Sequence, residues 1–324
     1  MEETVNAELG PPRLSPWDRT VHHWKASILP DIASEVAMYT VLALIICIMH
    51  RQGINIAPPD SFFSAVSIVV AFLLVFRTNT AYDRFWEGRR LWTSITVSVR
   101  NFARTVSVNM KDSDSEAGWV LNALIDTIIA IKDYLRIESS FGKKNAHNSL
   151  GRFYRNPYSR KNFGQATISL DSDSKMRSLP EHTLRPLQLL AEIQTWVHQQ
   201  SKVHRIDTVQ QQILYSQIAN LTDCYAQCQR VLKTPIPPAY RIHLKHITGL
   251  FCIIFPFSTV AKSGFYTVPI SMAVFFVVIG VKAIGSEIEN PFGYDYNDLP
   301  LDIFCEIAQL ELEIYQNVKR HVAS

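Results

Sequence analysis

Residues 77–92 read RTNTAYDRFWEGRRLW, directly after the uncharged run Ser61–Phe76. Within a few turns the chain passes from unbroken apolar sequence to Arg77, Arg84, Arg89 and Arg90, mixed with Asp83, Glu87, Phe85, Trp86 and Trp92. Arginine and tryptophan at the end of an apolar helix mark the place where a polypeptide leaves lipid on the positively charged side. The stretch therefore predicts a membrane protein.

Three further apolar runs accompany Ser61–Phe76: Val36–Met49, Ile247–Ala261 and Gly264–Val281. Only the last reaches the roughly 18 residues usual for a spanning helix. The first lengthens backwards through Ile32 and Ala33, which takes Glu35 in near one end. The second continues through Thr78 and Ala81 if Arg77 faces water or a partner. The runs form two close pairs, joined by HRQGINIAPPD (50–60) and by KS (262–263), with a long polar region between the pairs. The expected organisation is an all-α membrane protein with four transmembrane helices per chain and a helical cytosolic domain. Its expected parts are a cytosolic N-terminal segment (1–30), a first hairpin (31–77), the cytosolic helices (78–240), a second hairpin (241–284) and a cytosolic C-terminal segment (285–324).

Composition agrees with this class. The 324 residues are 47% hydrophobic and 19% charged, enough for a core and inconsistent with global disorder. A net charge of +3 does not point to nucleic acid as a partner. Its distribution sets the orientation: Arg13, Arg19 and Lys25 precede the first run, the arginines from Arg77 follow the second, and Lys233, Arg241 and Lys245 precede the third. The short connections hold only Arg51 and Lys262, so both termini and the middle region are expected on the cytoplasmic or equivalent side. Trp17, Trp24, Phe85, Trp86 and Trp92 suit the aromatic belt there. The N-terminus has no apolar core of a cleavable signal. Cys47, Cys224, Cys228, Cys252 and Cys305 show no CxxC spacing and read as buried thiols.

The middle region has helical periodicity in EAGWVLNALIDTIIAIKDYLRI, TLRPLQLLAEIQTWVHQQ and DTVQQQILYSQIANLTDCYAQCQRVL. Between Ser139 and Ser178 it turns loop-like, and the basic piece KKNAHNSLGRFYRNPYSRK (143–161) reads as a solvated loop. His243 and His246 lie three apart but have no carboxylate nearby, which disfavours a metal site. No phosphate-binding glycine loop, GxSxG or HExxH occurs, so catalysis has no support in the sequence.

Ile68, Phe72 and Phe76 fall at i, i+4 and i+8, a single helical stripe about 12 Å long. In one helix such a stripe serves as core or as lipid-facing surface. Around an axis shared by several copies it makes a hydrophobic constriction, which ions pass only by shedding water or when it widens. Periodicity leaves both readings open. APPDSFF, with Asp60 or Ser61 as N-cap, would turn the positive end of this helix's dipole toward the outer side.

RTNTAYDRFWEGRRLW resembles the signature that follows the second membrane helix in bestrophins, above all the bacterial, fungal and plant branch. IENPFGYDYNDLPLD (288–302) resembles that family's Asn-Pro-Phe-Gly motif, and TPIPPAYRIHLKH (234–246) its entry into the third membrane helix. The resemblance covers roughly residues 17–305, with 139–180 poorly matched. It implies a homopentameric channel in the membrane lipid, conducting chloride in most members, with Ile68, Phe72 and Phe76 as the neck of one axial pore. It also implies a cytosolic constriction at Val209, with Ile206 as the fallback.

Animal bestrophins hold calcium in an acidic run after Asn-Pro-Phe-Gly. The matching YDYNDLP has only Asp295 and Asp298, with Asn290 as a further donor, so weak or absent calcium dependence is expected and no cofactor. Arg77, Arg84 and Arg89 are expected to pair with Glu287 and Glu289 as structural ion pairs. A cation-selective channel of the same family and a non-conducting membrane adaptor are the competing readings. The tail Glu306–Ser324, amphipathic, is expected to latch onto a neighbouring subunit.

Overall fold

A computed structural model describes residues 27–54, 58–109, 114–148 and 181–322. The expectations for Arg13, Trp17, Arg19, Trp24 and Lys25, and for the basic piece beyond residue 148, lie outside these. Among the described residues every regular element is a helix: α1 (Leu29–Arg51), α2 (Asp60–Asn109), α3 (Asp114–Asn148), α4 (Glu181–Lys202), α5 (Thr208–Lys233), α6 (Pro238–Ser263), α7 (Thr267–Glu287) and α8 (Leu301–Val322). The chain divides into two compact units, one of residues up to Tyr82 with Ile236–Glu289, the other of Asp83–Pro235 with Asn290–Ser324.

The first unit holds the apolar sequence. Leu29–Arg51, Ser61–Asn109 and Pro238–Glu287 are long and apolar enough to cross a membrane. The last stretch is α6 and α7, joined by a 3-10 turn at Gly264–Tyr266. Lys262 and Ser263, expected as the link, instead finish α6. The reversal falls on Gly264, whose φ of +51° is a backbone state that side chains disfavour. In the core Ile32, Val36, Val70, Leu74, Phe275 and Ile279 pack together. Phe63 stacks on Phe251 at 5.8 Å and meets Phe255 edge-on at 5.7 Å. An ion pair ties α7 to α1 within this apolar unit: Lys282 Nζ donates to Glu35 Oε1 at 2.7 Å and Oε2 at 2.9 Å.

The second helix does not stop at the apolar boundary. α2 is a single 50-residue helix that continues through RTNTAYDRFWEGRRLW, roughly 75 Å at helical rise. No proline interrupts it, and its only glycine, Gly88, is held by packing. Beyond Asp83 its buried positions Trp92, Ile95, Val99 and Phe102 follow helical spacing and enter the core of the second unit. Leu124, Ile128 and Ile131 of α3, Ile193 and Val197 of α4, Leu214, Leu221 and Tyr225 of α5 and Leu301, Ala308 and Leu312 of α8 complete that core. A reciprocal cap starts α5: Gln210 N donates to Asp207 Oδ1 at 2.7 Å and Asp207 N to Gln210 Oε1 at 3.1 Å. All five thiols are free and buried. Burial pushes Cys305 up to about 11 and raises Cys224 and Cys228 as well.

Candidate functional site: a phenylalanine stripe and its anchors

Along α2 each residue turns the side-chain direction by about 100°. Measured from Phe72, the buried Val70, Leu74 and Ala81 point about 160–180° away, while Ile68 and Phe76 lie within about 40°. Exposure follows this division: Val70, Leu74 and Ala81 are 2%, 7% and 0% exposed, against 58%, 61% and 61% for Ile68, Phe72 and Phe76. The stripe is thus diametrically opposed to the packed face. The rings of Phe72 and Phe76 stack at 6.4 Å and form a continuous apolar ridge.

Arg77 follows Phe76 and turns inward. It is 4% exposed, donates from Nη2 to Ser286 Oγ at 2.7 Å, and lies 3.5 Å from Glu289 Oε2. Glu289 in turn accepts a hydrogen bond from Ile236 N at 3.1 Å. The acid therefore holds both the arginine and the chain entering α6. The other arginines take partners that sequence reasoning did not supply. Arg84 donates to the carbonyl oxygens of Val231 and, at 2.6 Å, Thr234, at the C-terminal end of α5, where free carbonyls favour a cation. Arg89 sits 4.3 Å over the Phe304 ring and donates to Thr93 Oγ1 at 3.2 Å. Glu287 is half-buried in the last turn of α7.

Two of the quoted motifs meet in the second unit. A Cβ added at Gly88 would lie 2.8 Å from Pro291 Cγ and 3.1 Å from Phe292 Cζ, so RTNTAYDRFWEGRRLW and IENPFGYDYNDLPLD pack together through a glycine. A Cβ added at Gly293 would stand 2.5 Å from Asp298 Oδ2, so a close approach occupies the space a side chain would need there. Arg136, missed by sequence reasoning, fastens this loop. It donates to Gly293 O and, at 3.2 Å, to Asp302 Oδ2, and lies 4.5 Å over the Tyr294 ring. Asp302 also accepts from Lys132 at 2.8 Å, which holds its carboxyl below and the lysine above their ordinary ranges. An acid in the first turn of α8, two residues after Pro300, was the available signal.

Val209, at the second position of α5, is 69% exposed, whereas Ile206 is 3% exposed and belongs to the core. Ile206 was the fallback for the constriction at Val209. The Asp207 cap starts α5 at Thr208, so Ile206 precedes it and its side chain packs inward.

The family model for bacterial and fungal bestrophin proteins matches residues 11–314. The chain belongs to the bacterial/fungal bestrophin family. It is 32% identical over 313 residues to a voltage-dependent anion channel-forming protein of Nostoc sp., covering 95% of this chain and 94% of that one. A protein of the same description from Synechocystis sp. is 32% identical over 301 residues, covering 92% and 91%. Among solved structures, a bacterial bestrophin homologue from Klebsiella pneumoniae has the same fold, with a TM-score of 0.70 and 21% identity over 88% of this chain and 98% of that one. Its apolar helices and its family make this bestrophin an integral membrane protein.

The residues expected as a weak calcium clasp, Asp295, Asp298 and Asn290, lie in the loop between α7 and α8. Asp298 Oδ2 accepts from Asp295 N at 2.7 Å within the loop, and Asn290 Nδ2 donates to Ser139 Oγ of α3 at 2.6 Å, tying the loop to that helix. Among the described residues no group of three or more His, Cys, Asp and Glu is placed to hold a metal, and calcium takes about 6–8 oxygens.

Proposed function

We propose that this bestrophin forms a homopentameric channel that conducts chloride and other small anions passively, down their electrochemical gradient. Four helices per chain cross the membrane (α1, the apolar part of α2, α6 and α7), with both termini on the cytoplasmic side. Five copies of α2 surround one axis, Ile68, Phe72 and Phe76 form the neck, and Val209 narrows the cytosolic exit. The observation that carries this reading is the exposed ridge of α2 set opposite its packed face. An apolar ridge facing an axis makes a barrier that a hydrated ion crosses only with loss of water or widening. The description of the Nostoc and Synechocystis relatives as anion channel-forming supports the sign of the permeant ion. Such transport breaks no covalent bond.

The test is reconstitution of the purified protein in planar bilayers under a chloride gradient. A reversal potential that follows chloride is expected, with larger conductance or open probability in Phe76→Ala. Absence of current in both wild type and the Ile68→Ala/Phe72→Ala/Phe76→Ala variant would point to a non-conducting adaptor. A reversal potential following sodium would make the channel cation-selective. Native mass measurement of the particle counts its subunits.

A further inference from the structure

We infer that Asn79 is where a permeating anion regains hydrogen-bond donors on leaving the neck, so that its carboxamide sets the ranking among anions. This rests on the channel reading above. Asn79 lies seven residues after Phe72, about 20° from its direction on the helix and nearer the centre line of the ridge than Ile68 or Phe76. It is exposed and is the first polar side chain on that line beyond Phe76.

Its neighbours in the sequence RTNT spend their polar groups elsewhere. Arg77 is directed to Ser286 and Glu289. Thr78 Oγ1 donates back to Leu74 O and Thr80 Oγ1 to Phe76 O, both at 2.9 Å. Asn79 makes no side-chain hydrogen bond among the described residues, so its two N–H donors are free. Three residues before Ile68 the position about 20° from the same line is Ala65, which offers no donor, and the next on that line, Ser61, lies a further four residues away. Next to the ridge, polar coordination is therefore one-sided.

An anion inside the apolar ring has given up part of its hydration. Carboxamides at the exit return hydrogen bonds to it without a fixed charge that would trap it, meeting the need for binding tight enough to enter and weak enough to leave. Chloride holds water more strongly than thiocyanate does, so removal of the donors penalises chloride more. A hydrogen bond to a charged group is worth enough that its loss changes a permeability ratio by about tenfold.

The test uses the purified full chain in planar bilayers with chloride on one side and thiocyanate on the other. Asn79→Leu is expected to raise the thiocyanate-over-chloride permeability ratio about tenfold, and Thr80→Val to leave it at the wild-type value. Asn79→Asp is expected to lower chloride conductance and move the reversal potential in a sodium chloride gradient toward sodium. This variant carries the test if Asn79→Leu fails to assemble on size exclusion. A wild-type ratio in Asn79→Leu, while Phe72→Ala alters conductance, overturns the role of Asn79 and leaves the neck standing. No current from wild type or any variant overturns the channel reading, and this inference with it.

Discussion

Gly88→Ala tests whether the two motifs are joined as tightly as their geometry requires. The added methyl would lie 2.8 Å from Pro291 Cγ and 3.1 and 3.2 Å from two carbons of the Phe292 ring. Phe292 is fully buried and Pro291 is a ring locked into the backbone, so neither neighbour yields easily. Overpacking of this kind costs about 1–3 kcal/mol. Against it stands the helix preference of alanine over glycine, about 0.5–1 kcal/mol. Gly118 in α3 supplies the control, because a Cβ there meets nothing within 4 Å and only the helix preference acts. The preference is common to both, so the two variants should differ by the packing cost, about 1–3 kcal/mol. At about 2–4 °C per kcal/mol, Gly88→Ala should melt several degrees below Gly118→Ala. Thermal melts of detergent-solubilised protein followed by tryptophan fluorescence measure this, since Trp92 and Trp196 report from the same core. A Gly88→Ala protein that melts with or above Gly118→Ala would show that the motifs do not press together there.

Three further outcomes follow from the ion pairs. Glu289→Gln leaves Arg77 buried with its charge uncompensated and should cost about 3–5 kcal/mol in thermal or denaturant melts, whereas Arg77→Met/Glu289→Leu recovers most of the loss. Lys282→Met strands the Glu35 carboxylate among apolar helices and should cost about 2 kcal/mol, recovered by adding Glu35→Gln. Asp302→Asn should cost about 1 kcal/mol at neutral pH, a modest figure because Asp302 is largely exposed to screening solvent. Asp302 has a depressed folded-state pKa, so its contribution is present above the ordinary carboxylate value of about 3.9 and is lost as pH falls through the lowered one. The gap in melting temperature between wild type and Asp302→Asn should therefore close in acid, and a gap that persists unchanged there would refute the assignment.

Much of this architecture was legible in the sequence because apolar runs and helical periods are local. The ridge Ile68, Phe72 and Phe76 could be read from spacing alone, and the packed face opposite it needed only the same register. What escaped depended on partners distant in sequence or on groups without sequence identity. The pairing of Arg77 with Glu289 was expected, but its second partner, Ser286, was not. The acceptors of Arg84 are backbone carbonyls, which no residue type announces. The burial of Ile206 was readable after all, since Asp207 and Gln210 carry the spacing of a reciprocal cap that begins the helix after it.

The direction in which Phe72 faces is determined by what lies behind it. Apolar packing has no directional bond, and apolar side chains of similar volume exchange at modest cost, so hydrophobic packing alone would hold the rotation of α2 less firmly than a buried ion pair does. Arg77 removes that freedom. Turning the helix by one residue swings its guanidinium about 100° away from Ser286 and Glu289, leaving Glu289 buried with Ile236 N alone among the contacts described above. A buried pair adds little net stability when intact, but separating it is expensive, so it acts on specificity. Placed one residue after Phe76, the pair acts at the end of the ridge itself. An ordinary apolar helix is thereby held in one rotational state, with its phenylalanines on the unpacked side.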